Sequence, residues 1–230
     1  MEVSTEKSKV MVNSDTAIDT VIIMNDVQLE EVDSFKYLGA YLTKDGRSTT
    51  ELKCRLGAAT AAMAKLNKIW RNAKISFTTK LKLYKALVLS ILLYGCESWT
   101  LTAELEKRIQ AFEMKCLRRL LGISWTERKT NKFVRWQVEL AAGTQEPLLA
   151  TAKRRKMQWY GHVTRHNTMA KTILQGTLEG GRRRGRPRKS WSDNVREWSG
   201  MDTPTLVREA EDRHGWRRLS TEASRHSPLR

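Results

Sequence analysis

Several features that are common in other protein classes are absent or scarce in this chain of 230 residues. The longest apolar run, near residues 86–94, is much shorter than the roughly 18 residues of a membrane-spanning helix. The N-terminus is polar and includes Glu2 and Glu6, so it does not resemble a signal peptide. These absences predict an intracellular protein, nuclear or cytoplasmic, with no membrane contact.

Cysteine is also scarce. Cys54, Cys96 and Cys116 are far apart, and an odd number of them does not indicate a disulfide framework. We expect all three to be reduced and at least partly buried. Cys96 and Cys116 could join His162 and His166 as zinc ligands, but no C-x-x-C pair is present, so we predict no metal site.

Acidic residues are few relative to basic ones. The chain has 42 Lys and Arg against 25 Asp and Glu, a formal net charge of +17 and a pI of about 10.1. A charge excess of this size indicates a polyanionic partner, with nucleic acid as the first candidate and a membrane surface as the second. Without an apolar span, the prediction is RNA, DNA or an RNA–DNA hybrid. Nothing in the sequence specifies the oligomeric state.

The hydrophobic pattern changes its period near residue 46. Short apolar or alternating runs at 9–12, 21–24 and 35–42 predict strands separated by turns. After residue 46, apolar residues recur every three or four positions, which is typical of helices. The predicted helices cover residues 49–73, 78–94, 102–121, 131–140, 147–166, 191–198 and 203–213. Thr102 and Gly122 are the predicted caps of the third helix, and the last ten or so residues are predicted to be a loose tail.

A basic segment at residues 180–189 has no apolar face and should be extended or disordered when free. Its Arg-Gly-Arg-Pro tetrapeptide, residues 184–187, matches the core of an AT-hook, which inserts into the minor groove of A·T-rich DNA. General phosphate binding, groove insertion and nuclear import all remain open as its role. The nucleic-acid contacts predicted here and on the preceding basic helix are Arg154, Arg155, Arg182, Arg183, Arg184, Arg186, Arg188 and Lys189.

Two N-terminal segments resemble motifs of reverse transcriptases. Residues 3–9, Val-Ser-Thr-Glu-Lys-Ser-Lys, are similar to the motif after the catalytic strands of the palm, although Met1 and Glu2 replace its usual Gly-Leu opening. Residues 35–42, Phe-Lys-Tyr-Leu-Gly-Ala-Tyr-Leu, resemble the primer-grip hairpin and follow in the right order about 30 residues later.

Further segments extend the resemblance to about Trp198. They occur in the order found in the C-terminal part of LINE-type non-LTR retrotransposon endonuclease–reverse transcriptases, at residues 94–100, 117–125, 159–163 and 185–191. The chain therefore resembles the late palm, thumb and basic tail of such an enzyme. The implied fold class is α+β and mainly α, with a small antiparallel sheet or hairpin before the helices. The implied regions are a palm remnant at 1–46, a helical thumb at 47–125, a connector with a basic helix at 126–179, a basic linker at 180–190, and short helices with a tail at 191–230.

The resemblance also implies roles for individual residues. Lys7 would lie near the phosphates of the incoming nucleotide and assist catalysis in an intact polymerase; alternatively it is a solvated lysine on a strand edge. The primer 3′ end would be held by Phe35, Lys36, Tyr37, Leu38 and Gly39, unless this hairpin merely covers a core. Phosphates of the template–primer duplex would be contacted by basic residues in and between the first two predicted helices, unless these are simply solvated: Lys65, Lys68, Arg71, Lys74, Lys80, Lys82 and Lys85.

The sequence departs from the family at the catalytic centre. RNA-directed DNA polymerisation, the parent activity, requires paired carboxylates that hold two Mg²⁺ ions. No Asp-Asp dipeptide occurs in this sequence, so we expect the chain alone to be inactive and to hold no cofactor. Three hypotheses follow: a truncated reverse transcriptase that binds primer–template or element RNA, a domesticated non-catalytic DNA- or RNA-binding protein, or a decayed open reading frame.

Overall fold

The computed structural model describes residues 4–5, 7–12, 21–176 and 188–225. The chain divides into two compact units, Met1–Cys54 and Arg55–Arg230. Within the described residues it is mainly helical with two small antiparallel hairpins, which confirms the predicted α+β, mainly α class. None of the helices in these ranges combines the length and the apolar character that a membrane crossing requires.

The first unit contains the two hairpins. Their strands are β1 (Ile23–Met24) with β2 (Val27–Gln28), and β3 (Ser34–Tyr37) with β4 (Ala40–Thr43). The second hairpin turns through Leu38 and Gly39, whose φ angles are 47° and 83°. Two positive φ values in a two-residue loop match the right-handed twist of the strands, and a glycine adopts one of them without strain. Gly39 therefore lies at the tight point of the hairpin, as the sequence predicted.

One buried carboxylate completes this hairpin. The Glu51 side chain is buried, and its Oε2 accepts a hydrogen bond of 2.6 Å from the backbone N–H of Tyr41. Tyr41 pairs with Lys36 in the ladder, at a position whose N–H points away from the partner strand. Glu51 thus satisfies an edge donor of β4. Other apolar side chains of this unit, including Ile23 and Leu38, remain exposed.

The second unit is helical in its described residues, and the division between the units falls within α1. The helices are α1 (Thr49–Lys65), α2 (Asn67–Arg71), α3 (Phe77–Tyr84), α4 (Ser90–Leu92), α5 (Ala103–Leu121), α6 (Asn131–Ala142), α7 (Leu148–Arg165), α8 (Met169–Gln175), α9 (Trp191–Ser199), α10 (Thr203–Glu211) and α11 (Arg213–Arg225). A π-helical stretch (Lys85–Leu89) joins α3 to α4, and 3₁₀ turns span Cys96–Ser98 and Trp125–Glu127.

Helix ends follow the predicted capping chemistry. The Thr102 side chain accepts from the N–H of Leu105 at the start of α5, and Gly122 ends that helix with φ of 73°. Other predictions were wrong in detail. The helix predicted over residues 49–73 breaks at Leu66, and the predicted loose tail is helical as far as Arg225. The sequence of α11 is too polar to indicate burial, but Trp216 and small residues on one face pack into the interior.

Helix α7 is central to the second unit and packs against α5, α8, α9, α10 and α11. Gly161 explains its close contact with α11, because a Cβ at this position would lie 2.2 Å from Trp216 Nε1. The missing side chain lets the indole lie against the helix and donate to the carbonyl oxygen of Met157 at 2.8 Å. A single glycine of the 159–163 motif therefore sets the spacing between two helices.

Candidate nucleic-acid interface

A stretch of the chain without any acidic residue forms an exposed basic surface. Residues 52–96 contain no Asp or Glu and nine Lys or Arg. Seven of the nine are exposed, whereas Lys80 is buried. The exposed ones include Lys65 at the end of α1 and Lys68 and Arg71 on α2. None of the ion pairs among the described residues involves them. Their charges are therefore available to a polyanion.

Short-range packing holds α2 in place. Trp70 is buried on the inner side of α2 and donates its Nε1–H to the carbonyl oxygen of Met63 at 2.9 Å. On α5, Arg119 Nη2 donates to Asn67 Oδ1 at 2.8 Å, so α2 is bound on one face while the cations of α2 stay exposed. Because the helix is held in place, its backbone loses little conformational entropy when its cations meet a phosphate.

Helix α5 contributes two cations that the sequence patterns did not identify. Lys115 and Arg119 are exposed one turn apart and line the same small cavity as Thr60 and Met63 of α1. We name the set formed by Lys65, Lys68, Arg71, Lys115 and Arg119 the α1–α2–α5 surface. The acid-free stretch would have indicated the first three of these from sequence, but only tertiary packing adds the α5 pair.

The predicted primer-grip residues lie together on the second hairpin of the first unit. Phe35 is half-buried, whereas Tyr37 and Leu38 are exposed at the tip beside Gly39. Lys36 Nζ lies 5.6 Å from the ring centroid of Tyr41 on the paired strand. The tip therefore presents an aromatic and an aliphatic side chain. Gly39 beside them has no side chain, so the backbone there can approach a ligand closely.

Lys7 lies in a turn near the start of the described chain and is exposed. Two residues later, Lys9 Nζ pairs with Glu30 Oε2 at 2.5 Å. The backbone N–H of Val10 then donates to the Glu30 carbonyl oxygen at 2.9 Å, and Val10 forms a parallel bridge with Glu31. Lys7 thus remains free of these local pairs, and its role in a polymerase stays a prediction.

Arg154 and Arg155, the predicted contacts on α7, are half-buried and bonded within the second unit. Arg154 forms a bidentate pair with Glu146, with both N–O distances at 2.8 Å, and this contact lowers the pKa of the Glu146 carboxyl. Arg155 Nη1 donates to the carbonyl oxygen of Leu93 at 3.2 Å. Both are therefore less available to a phosphate than Lys65 or Lys68.

The two lysines that flank these arginines are buried, with 1% of each exposed. Lys153 Nζ lies 3.1 Å from Glu106 Oε1 and 5.0 Å from the ring centroid of Trp198. Lys156 Nζ donates to the carbonyl oxygen of Trp99 at 2.8 Å and to Asn194 Oδ1 at 2.9 Å. Burial lowers the pKa of Lys156 to about 6, and the positive charge of nearby Lys189 adds to this effect.

We name this cluster around Lys156 the lysine cage; it consists of Trp99, Trp191, Asn194 and Trp198. The Trp191 ring centroid lies 4.3 Å from the Lys156 ammonium, and Trp191 Nε1 donates to the Glu97 carbonyl oxygen at 2.8 Å. Asn194 exchanges two hydrogen bonds with the backbone of Leu101, at 2.7 and 2.8 Å. The motifs at 94–100, 159–163 and 185–191 thus meet in one packed centre.

Trp159, Trp191 and Trp198 flank the basic segment in the sequence and could either stack on bases or fill the core between helices. Trp198 is buried, and Trp159 packs edge-on against Trp191 with ring centroids 5.2 Å apart. Whereas 39% of Trp159 is exposed, Trp198 and the half-buried Trp191 fill space between helices. Their burial beside lysine stems is favourable because indole faces attract cations.

The basic linker is described only at its end. The predicted contacts Arg182, Arg183, Arg184 and Arg186 lie outside the described residues. Arg188 is exposed, and Lys189 pairs with Glu197 of α9. Ser190 then caps α9 by accepting a hydrogen bond from the N–H of Asp193.

Metal-binding residue types do not cluster in the described part of the chain: no group of three or more His, Cys, Asp or Glu there could hold an ion. Cys96 and Cys116 are buried, and burial raises the pKa of each thiol to about 12. Cys54 is exposed, so the prediction that every cysteine is at least partly buried was wrong for this one. The His162 and His166 rings lie 4.6 Å apart on the surface.

Comparison with known proteins identifies relatives among transposon products. No protein-family model and no solved structure matches the chain. It is 29% identical over 206 residues to a transposon-derived protein of Caenorhabditis elegans, a match that covers 86% of this chain and 72% of that protein. It is 30% identical over 113 residues to a Drosophila melanogaster protein named as an RNA-directed DNA polymerase from transposon X-element, which covers 47% of this chain and 12% of the polymerase. The chain is therefore similar to transposon-derived proteins, over most of its length in one case and about half of it in the other.

Proposed function

We propose that this chain corresponds to the late palm, thumb and basic tail of a LINE-type reverse transcriptase, and that it binds nucleic acid without polymerising it. Its partners would be primer–template duplex or element RNA. The observation that carries the proposal is the α1–α2–α5 surface, where five exposed cations from three helices lie beside an acid-free stretch of chain. The similarity to a transposon polymerase supports the same class of partner.

Binding would rest on phosphates and not on bases. Lysine and arginine release condensed counterions when they neutralise phosphates, and this term does not depend on sequence. A helical surface of this kind recognises an A-form duplex by shape and backbone position. In an intact polymerase the Phe35–Gly39 hairpin would hold the primer end and Lys7 would lie near the phosphates. Mg²⁺ would be required only there, on carboxylates of the parent enzyme.

Fluorescence anisotropy with labelled RNA–DNA hybrid, duplex DNA and single-stranded RNA tests the proposal across a series of salt concentrations. The test variant is Lys65→Gln combined with Lys68→Gln and Arg71→Gln. The matched control is Arg213→Gln with Arg217→Gln and Arg218→Gln. These substitutions replace three exposed arginines of α11 and remove the same net charge. We expect the test variant to bind hybrid at least about tenfold more weakly, because three charge-assisted contacts are lost.

The salt dependence separates a local interface from general attraction. Each lost phosphate contact should lower the magnitude of the slope of log K against log salt by about 1. The slope of the test variant should therefore fall by about two to three, and the slope of the control should stay unchanged. Equal losses in both variants would contradict a localised interface. A preference for A·T-rich duplex that Arg186→Ala removes would favour the domesticated DNA-binding alternative, and weak binding without preference would favour a decayed frame.

A further inference from the structure

The two most exposed tryptophans lie close together in the sequence, one in the turn before α6 and one on α6. Trp125 is 87% exposed and Trp136 is 54% exposed, whereas Trp70, Trp99 and Trp216 are buried. Four of the eight tryptophans are buried, and these two are the ones most exposed to water. Large exposed aromatic groups of this kind mark interaction sites more often than isolated small apolar side chains do.

Helix α6 arranges the half-buried Phe133 and the exposed Trp136 and Leu140 in one stripe. Phe133, Trp136 and Leu140 follow at helical spacings of three and four residues, and the Phe133 and Trp136 ring centroids are 5.8 Å apart. Val134 and Val138, on the other side of α6, are buried. The helix is therefore held to the second unit by one face and presents aromatic rings on the other.

The turn before α6 is held in a defined conformation. Ser124 and Glu127 form a reciprocal capping box around the 3₁₀ turn, with the Ser124 N–H donating to Glu127 Oε1 at 2.7 Å. Arg118 Nη2 of α5 donates to the Lys129 carbonyl oxygen at 3.1 Å and to Asn131 Oδ1 at 2.7 Å. These bonds hold the segment that carries Trp125, so the indole is presented without a large ordering cost.

Basic side chains surround the rings. Lys129 Nζ lies 4.9 Å from the Phe133 ring centroid, and Arg128 and Lys132 are exposed beside it. Arg128 has φ of 48°, a conformation that favours glycine and that a bulky side chain adopts at some cost. Residues 124–140 contain four basic residues and two acidic ones, Glu127 and Glu139. The surface is thus aromatic and positively charged.

We name Trp125, Phe133 and Trp136 with Arg128, Lys129 and Lys132, which belong to the turn before α6 and to α6 itself, the aromatic surface. We infer that it binds single-stranded nucleic acid by stacking unpaired bases on its rings. The inference rests on the proposed function, because it assumes a nucleic-acid partner. An aromatic ring can stack on any base whose face is exposed, and neighbouring cations hold the adjacent phosphates. A duplex hides the faces of its bases inside the stack, so it cannot use the rings in this way. The chain would then bind duplex at the α1–α2–α5 surface and the unpaired strand at the aromatic surface.

The test uses the full chain and labelled oligonucleotides of about 20 nucleotides, long enough for one stacking site. Binding of a mixed-sequence single-stranded RNA is compared with binding of the duplex of the same sequence. Trp125→Leu with Trp136→Leu keeps an apolar side chain and removes the aromatic face, and Trp125→Phe with Trp136→Phe keeps it. We expect the leucine variant to bind the single strand at least about tenfold more weakly and the duplex almost unchanged, with the phenylalanine variant recovering most of the loss.

A measurement on the unaltered chain keeps the inference testable if a variant folds poorly. Stacked bases quench indole fluorescence, so single-stranded RNA should quench the intrinsic emission more strongly than duplex at equal occupancy. If the chain binds no nucleic acid, the proposed function fails together with this inference. If it binds but the leucine variant holds single strands as tightly as before, stacking is wrong and the proposed function stands. Binding to anionic phospholipid vesicles that the leucine variant abolishes, with no effect on single strands, would assign the surface to a membrane instead.

Discussion

Two basic regions of the second unit use the same residue types for opposite purposes. On α2, Lys68 and Arg71 are exposed and Trp70 faces inward. On α7, Lys153 and Lys156 are buried, and tryptophans from α9 lie against their ammonium groups. Lysines and tryptophans that occur together in a basic region therefore indicate neither a surface nor a core. The difference lies in what covers each helix.

The physical reason is the supply of hydrogen-bond partners for the amine. A buried amine is costly unless acceptors replace the water that it loses, and burial lowers the pKa of Lys156 to about 6, so that its neutral form is favoured at pH 7. The lysine cage provides a backbone carbonyl, an amide oxygen and indole faces for Lys156, and Glu106 serves Lys153. Nothing comparable covers Lys68 among the described residues, so its charge stays in solvent.

The largest expected effect separates the two lysines directly. Lys156→Met keeps the apolar volume but leaves the Trp99 carbonyl oxygen without its donor. We expect the free energy of unfolding to fall by about 2–3 kcal/mol at pH 10, where the amine loses its proton on folding at little cost because its ordinary pKa is about 10.4, in line with the loss of buried hydrogen bonds. Lys68→Met, the matched surface change, should cost less than about 0.5 kcal/mol. Urea unfolding of both variants measures the difference, and similar midpoints would contradict it.

A second prediction compares two glycines, one at a helix–helix contact and one on an open helix surface. Gly161→Ala puts a methyl group into the space of the Trp216 indole, so α7 and α11 must separate or the ring must turn. We expect a loss of roughly 1–3 kcal/mol, the usual cost of overpacking. Gly57→Ala on α1 meets no atom within 4 Å, and it should stabilise the chain by about 0.5–1 kcal/mol through helix propensity. Thermal unfolding should show a lower Tm for Gly161→Ala and a higher Tm for Gly57→Ala. If both variants shifted Tm in the same direction, the close contact at Gly161 would be contradicted.

The last expected effect concerns pH and acts through the same buried lysine. Burial lowers the pKa of Lys156 to about 6 in the folded chain, whereas lysine in the unfolded chain has its ordinary pKa near 10.4. Between these two pH values the unfolded chain therefore binds one more proton than the folded chain. Stability from this group therefore rises with pH across that range, by at most about 1.4 kcal/mol per unit. Measured from pH 6.5 to 9, the destabilisation of Lys156→Met should grow. A constant difference would mean that the carbonyl oxygens and indole rings keep the ammonium charged.

Local patterns predicted much of the secondary structure correctly. Thr102 and Gly122 delimit α5 because a side-chain acceptor and a left-handed glycine act on their own neighbours. The 34–43 hairpin follows from alternating residues around Gly39. The break at Leu66 and the π-helical stretch were not predictable, since both interrupt an apolar period that continues across them. Helix α11 was missed because its stability comes from a partner, the groove at Gly161, and not from its own composition.

By itself, the sequence determined the mainly helical class, the excess positive charge and the acid-free stretch that supplies the exposed cations of α1 and α2. These are properties of local period and composition, which do not depend on distant contacts. Only the tertiary structure decided which basic residues reach solvent. It buried Lys153 and Lys156 under α9, brought Arg119 to Asn67, and left Trp125 and Trp136 outside. The reason is that burial depends on which elements meet in space, and residues 57 positions apart, such as Trp99 and Lys156, share no signal in a local pattern.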